Sequence, residues 1–440
     1  MVMEFIQQFL FLILGALAIW LFAKKIGELR RNINLGRPED FSGHQQQRWK
    51  NVLLLAFGQK KMFKKPLVAV LHFVIYAGFI IINIEVLEIV IDGLFGSHRV
   101  LAPVLDITYP WLINSFEFLA VGVIIVCVIF LARRNILRLK RLNQTELEGW
   151  PRHDANIILV TEIVLMSLFL TINATDTLLQ ARGVAPYAQH ATGNFMFSSM
   201  LHPLFAGLSD GALVGLERAS WWLHILGIFA FLNYLPYSKH LHIIFAFPNA
   251  YYTRLDPQGK MNNMPEIQKE VLYAMQPELA PTHTDDPPKR FGAKDVFDLS
   301  WRNLLDAYSC TECGRCSSAC PANITGKVLS PRKIMMDTRD RMEIIGKNIN
   351  VNGEFKDDGK SLLHNHISQE EIRACTTCNA CVEACPVGIS PLDIILQLRR
   401  YQAMEESNVP QEWSGMFSNT ENNFAPWKFS PDEREAWKAG

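Results

Sequence analysis

Two stretches, CTECGRCSSACP at 310–321 and CTTCNACVEACP at 375–386, each space four cysteines as C-x2-C-x2-C-x3-C and follow them with proline. That spacing wraps the first three thiolates around three corners of a 4Fe-4S cube, while the fourth ligates the neighbouring cube in two-cluster ferredoxins. It predicts two 4Fe-4S clusters, one on Cys310, Cys313, Cys316 and Cys385 and one on Cys375, Cys378, Cys381 and Cys320. Zinc is the competing reading of repeated C-x2-C pairs, and the duplicated ferredoxin spacing with its prolines argues against it. Gly314, Ala319, Ala380 and Ala384 are small enough to let backbone N–H groups approach sulfur. Such thiols need a reducing compartment and do not read as a disulfide framework. The ninth cysteine, Cys127, lies in an apolar run and reads as a small buried hydrophobe.

Histidines form the second set. The stretch WLHILGIFAFLNYLPYSKHLH (222–242) is apolar enough for a membrane yet carries imidazole near both ends, where it is costly and functional by default. His224 and His242 are eighteen residues apart, about five helical turns, so on one helix they share a face at opposite depths. His240 falls roughly 160° away from His224 on that geometry and is set aside. This is how a helix would present ligands to two haems. His72, early in the second apolar segment, comes level with His242 and completes an inner haem b site. For an outer haem at His224 the expected partner is His202, with His190 and His98 as weaker candidates, so one or two haem b are expected. His44, His153, His283, His364 and His366 lie in polar stretches and read as surface residues. Glu85 and Glu88, three residues apart, share a helix face and are candidates for proton handling beside a quinone. Glu117, Glu162 and Asp176 also lie within or near the apolar segments.

The elements that must position these groups follow from hydropathy. Runs of about 20 apolar residues mark membrane helices, here 4–23, 67–91, 110–132, 155–178 and 220–238. The first run has no basic leader and reads as an uncleaved anchor. Residues 24–65 and 133–153 hold eleven and six Lys/Arg, against one in 92–109 and two in 179–220. This bias puts the N-terminus outside and the cysteines in the cytoplasm. Phe195–Leu208, short and broken by Pro203, reads as interfacial or re-entrant. The fold class is therefore all-α: a five-helix transmembrane haem b bundle over 1–250, a linker over 251–296, a helical ferredoxin-like domain over 297–402 with a helix at 331–348 and a turn region at 349–360, and a tail over 403–440. Net charge is zero, which gives no reason to expect nucleic acid as a partner. The spans imply membrane lipid around them.

Leu71–Phe79 and WLHILG…PYSKHLH resemble the haem b membrane subunit of respiratory nitrate reductase. That resemblance implies two haems held by two histidines on the second helix and two on the fifth. His72, His224 and His242 match three of them, and the fourth position falls near Ile82 or Asn83. The cysteine half resembles the C subunit of heterodisulfide reductase. Modules joined in this order are similar to membrane-bound heterodisulfide-reductase-like proteins and electron-transfer-flavoprotein dehydrogenases. The resemblance implies electron transfer between a cytoplasmic partner (a CCG-domain protein or a flavoprotein), the clusters, haem b and a quinone, with menaquinone expected. The alternative is a haem-free membrane polyferredoxin that assists assembly of a respiratory complex.

Overall fold

The computed structural model describes residues 2–189, 192–257, 259–281 and 290–439, so His190 and His283 lie outside the described residues. It is helical throughout, with no strand among the described residues. Five long helices form a closed ring: α1 (Val2–Ile33), α2 (Pro66–Phe95), α3 (Tyr109–Asn135), α4 (Trp150–Ala181) and α5 (Asp210–Tyr234). Each packs on the next, and α5 packs back on α1. Proline stands in the first turn of α2, α3 and α4, where its fixed φ favours helix and its missing N–H costs nothing. Side chains that face outward are large and apolar, such as Phe9, Ile19 and Trp111. Close approach inside the ring depends on small residues. A methyl group at Gly78 would lie 2.7 Å from Val123, and one at Gly227 would lie 2.7 Å from Leu165.

Among the described residues four segments are long and apolar enough to cross a membrane: Phe5–Ile33, Pro66–Phe95, Ala102–Asn135 and Trp150–Ala181. The expected fifth span differs. The α5 helix starts early, at Asp210, where Ser209 caps Ala212 N, and it carries Glu217 and Arg218 before its apolar part. It also stops early. Pro236 has no N–H to continue the ladder, so the chain tightens into a turn at Leu235–Tyr237 and extends at Ser238, whose hydroxyl accepts from His240 N at 2.9 Å. A new helix, α6 (His242–Tyr251), begins there. His224 and His242 therefore stand on different helices, which corrects the single five-turn helix expected from their spacing. The 195–208 segment forms two short helical pieces, Ser198–Leu201 and His202–Phe205.

Beyond the ring come α7 (Trp301–Ser309), α8 (Arg315–Ala319), α9 (Pro331–Asn352), α10 (Ala380–Ala384) and α11 (Pro391–Met404). The α9 helix passes the expected end at 348 and stops at Gly353, φ 82°. Its apolar core does not close on itself. Leu304, Ile334, Met342, Ile394 and Leu398 share one cluster with Leu29 and Ile33 of α1 and with Leu241 and Phe245. One apolar cluster thus joins α1 and α6 to the helices that follow residue 300. The expected linker contains a helix, Pro265–Met275, and the tail contains another, Gln411–Asn423. Arg302 locks the junction: its guanidinium donates to Asn249 Oδ1 (2.7 Å), Asp306 Oδ1 (2.6 Å) and Tyr252 O (2.7 Å). Both side chains of the Arg302–Asp306 pair are 3% exposed. Arg302→Met strands a buried carboxylate and is expected to cost about 3–5 kcal/mol. Thermal melts in detergent check this, and an unchanged Tm contradicts it.

Candidate functional site

The two cysteine motifs fold alike. Glu312 and Thr377 occupy the same place in their repeats and both have φ 55°; Gly314 and Asn379 likewise adopt φ 71° and 61°. These left-handed residues turn successive N–H groups inward, a conformation that glycine and asparagine tolerate best. Thr377 N lies 3.4 Å from Cys375 Sγ, and Ile389 N lies 3.3 Å from Cys385 Sγ. The α8 and α10 helices, which start at these left-handed residues and carry the third cysteine of each motif, pack on each other.

That packing mixes the motifs. Cys385, last of the second motif, lines a pocket together with Cys310, Cys313 and Cys316 of the first. Cys320, last of the first motif, lies within electrostatic reach of Cys375 and Cys381. Among the described residues no three His, Cys, Asp or Glu converge as ligands of a single ion would; the four thiols surround a space instead. Burial pushes Cys310 and Cys381 up to about 12 and Cys385 up to about 11. Buried thiols of this kind are held as thiolates by bound metal. Arg332 also lines the pocket, fully buried. It donates to Arg141 O at 2.7 Å and Glu146 Oε1 at 2.8 Å, and its Nε has no protein partner. Arg141 in turn donates to Cys313 O at 2.9 Å. The loop between α3 and α4 thus covers the first motif. The other site is open: Cys378 is exposed.

The histidines lie at the same end of the ring. His72 and His242 face each other with ring centroids 6.4 Å apart. Their Nδ1 atoms lie 3.1 Å from Gln59 Oε1 and 3.1 Å from Lys239 O, respectively. A partner at Nδ1 orients the ring and leaves Nε2 for a ligand. Imidazole–metal bonds of about 2 Å put two rings on opposite sides of one metal ion with centroids roughly 6 Å apart, so this spacing suits a bis-imidazole haem iron. His240, set aside on helical geometry, stands beside them. Its ring lies 5.5 Å from that of His242 and 5.4 Å from that of Phe231, and its Nε2 is buried without a partner. The Pro-Tyr-Ser break before it was the available signal. Two contacts join this cluster to the first motif. Lys239 pairs with Glu312, and Arg315, between Cys313 and Cys316, donates to Lys61 O at 3.5 Å and lies within electrostatic reach of His72.

The outer assignments fare differently. His224 is buried, with Nδ1 3.0 Å from Leu165 O, whereas His202 Nε2 lies 2.9 Å from Thr177 Oγ1. Leu165 and Thr177 are twelve residues apart on α4, about 18 Å along its axis. His202 is therefore not the partner of His224. Ile82, near the fourth family position, packs in the apolar cluster of Leu165, and Asn83 is exposed. His98 bonds instead to Asp176 at 3.2 Å. Glu85 and Glu88 are buried, and neither adjoins the paired histidines. Arg99 Nη1 donates to Glu85 Oε1 at 3.3 Å, and Tyr109 Oη donates to Glu88 Oε2 at 2.9 Å. In the sequence Arg99 is only the single basic residue of 92–109, with nothing to show that it turns inward.

Residues 309–389 match the family described as the 4Fe-4S dicluster domain. Over 98% of its length the chain is similar to the "probable iron-sulfur-binding oxidoreductase FadF" of Bacillus subtilis (28% identical) and to the "EtfAB:quinone oxidoreductase" of Syntrophomonas wolfei (27%). It spans 60% and 58% of those two proteins. It is also 32% identical, over 27% of its length and 60% of the relative's, to the C subunit of a CoB-CoM heterodisulfide reductase of Methanosarcina acetivorans. No solved structure matches. The chain thus carries a 4Fe-4S dicluster domain together with helices long and apolar enough to cross a membrane.

A methyl group at Gly314 would lie 2.5 Å from Arg332 Nη1 and 3.0 Å from Arg141 O. Gly314→Ala is expected to remove the first cluster and spare the second, halving the acid-labile sulfide and removing one of two paramagnetic signals. Full sulfide retention would refute the role given to this turn.

Proposed function

We propose that this chain is the membrane electron-transfer subunit of a quinone-linked oxidoreductase. It would hold one 4Fe-4S cluster on Cys310, Cys313, Cys316 and Cys385, a second on Cys375, Cys378, Cys381 and Cys320, and one haem b between His72 and His242. The cofactors supply the one-electron chemistry that links a soluble two-electron donor or acceptor to a membrane quinone. The observation that carries this reading is the double attachment of the first motif to the histidine pair, through Lys239–Glu312 and Arg315–Lys61.

In this arrangement the protein positions and insulates. Gln59 and the Lys239 carbonyl aim the two imidazoles, and the 136–149 loop shields the first cluster from water. Exposed Cys378 marks the second cluster as the place where a cytoplasmic partner, a flavoprotein or a CCG-domain protein, exchanges electrons. Quinone as the membrane partner rests on the name of the Syntrophomonas relative and on the apolar ring. The basic loops at 24–65 and 133–153 abut the cysteine domain, for example through Lys25–Glu343 and Glu146–Arg332. This supports five crossings, with the N-terminus outside and the clusters in the cytoplasm.

The reading expects one haem b per chain, seen in a reduced-minus-oxidised absorption spectrum. His72→Ala is expected to abolish that spectrum and leave both cluster signals in place. A wild-type protein without haem would favour the polyferredoxin alternative, and full haem content in the variant would overturn the ligand assignment.

A further inference from the structure

At the end of the ring opposite the cysteines, five carboxylates gather around one guanidinium. Glu85, Glu88, Glu117 and Asp176 are each at most 4% exposed, and Arg99 is 5% exposed. Four of the five are well supplied with donors. Asp176 accepts from Arg99 Nε (2.9 Å), Gln180 (3.2 Å) and His98 Nε2 (3.2 Å). Glu88 accepts from Leu101 N and Tyr109 Oη, each at 2.9 Å. Glu117 accepts from Asn173 Nδ2 (3.0 Å), Phe197 N (2.8 Å) and Ser198 N (3.1 Å). Asp92 accepts from Ser97 Oγ (2.7 Å), Arg99 N (2.8 Å) and Val100 N (3.2 Å).

Glu85 is the exception. One oxygen has a single long contact to Arg99 Nη1, 3.3 Å, and the other, Oε2, is buried with no partner among the described residues. An isolated carboxylate in low dielectric is costly, and a proton removes that cost. Arg99 cannot balance the set: its one charge faces up to five carboxylates, and its best contacts go to Asp176 and to Asn173 Oδ1 at 2.6 Å. Among the described residues His98, itself partly exposed, is the only other basic group bonded to the network. Glu217 nearby is matched by Arg218, and His202 bonds Thr177.

We propose that this network is a proton-loading site, in which Glu85 carries an exchangeable proton and its neighbours hold the surrounding donors. Its free Oε2 would offer that proton to water or to a carbonyl oxygen within the ring. On the function proposed above, it would serve the proton exchange that accompanies quinone reduction or quinol oxidation. The proton itself does not depend on that reading.

Infrared spectroscopy of the full chain in detergent, in H2O and D2O, reads the proton directly. A carboxylic-acid C=O band that shifts in D2O is expected in the wild type and is lost in Glu85→Gln. As amide stands in for a neutral acid, Glu85→Gln is expected to keep the wild-type Tm, whereas Asp176→Asn, which unpairs Arg99, lowers it. Absence of the band in wild type, its survival in Glu85→Gln, or an equal loss of Tm in both variants overturns the proposal. None of these outcomes depends on haem content, so the two readings fail separately.

Discussion

The cysteine end of the bundle depends on Glu312, a carboxylate set between two cluster thiols and shared by two cations. It is 5% exposed, lies 2.9 Å from Arg339 and pairs with Lys239. Burial works against its charge, but Arg339 and Lys239 prevail and hold the carboxyl below its ordinary range. Burial also draws the Lys239 ammonium down, so Arg339 supplies the firmer hold. A carboxyl lowered in this way contributes stability above the ordinary carboxylate range and loses it as pH falls through the lowered value. The physical consequence is positional. The residue that shapes the first thiol turn also anchors the segment that delivers His240 and His242.

How far the primary structure discloses this arrangement depends on how local each signal is. The cysteine repeats are legible because eight cysteines at fixed spacing announce the 4Fe-4S dicluster domain and its two matching turns. The membrane helices are legible from hydropathy, with their prolines marking the starts. Helix continuity was harder. The run 222–242 is apolar enough to suggest one helix, yet a proline and a serine divide it. His72 and His242 still come within ring contact because both lie at the same end of the ring whichever helix carries them. His240 shows the cost of extrapolating angles across a break, since a change of direction at Ser238 turns it toward the pair.

The outer network is legible only in part. Glu85 and Glu88 share a helix face in the sequence, but the loop after α2 and the residues of α3 and α4 that complete the network are joined only by the fold. Arg99 looked like one of a few basic residues on a sparsely charged side. Only the fold shows that its side chain turns inward among acids, a case in which tertiary placement converts a loop charge into a buried one.

The two ends can be altered independently. His72 and Glu85 share α2 and are thirteen residues apart, about 20 Å along the axis. Separations beyond about 10 Å without shared partners leave mutational effects additive, and none of the contacts named for His72, His240 and His242 involves Arg99 or its acids. The ring therefore acts as a spacer. It holds a pair of histidines against the cysteine domain at one end and an excess of acid groups at the other, with apolar packing such as Gly78 on Val123 between them.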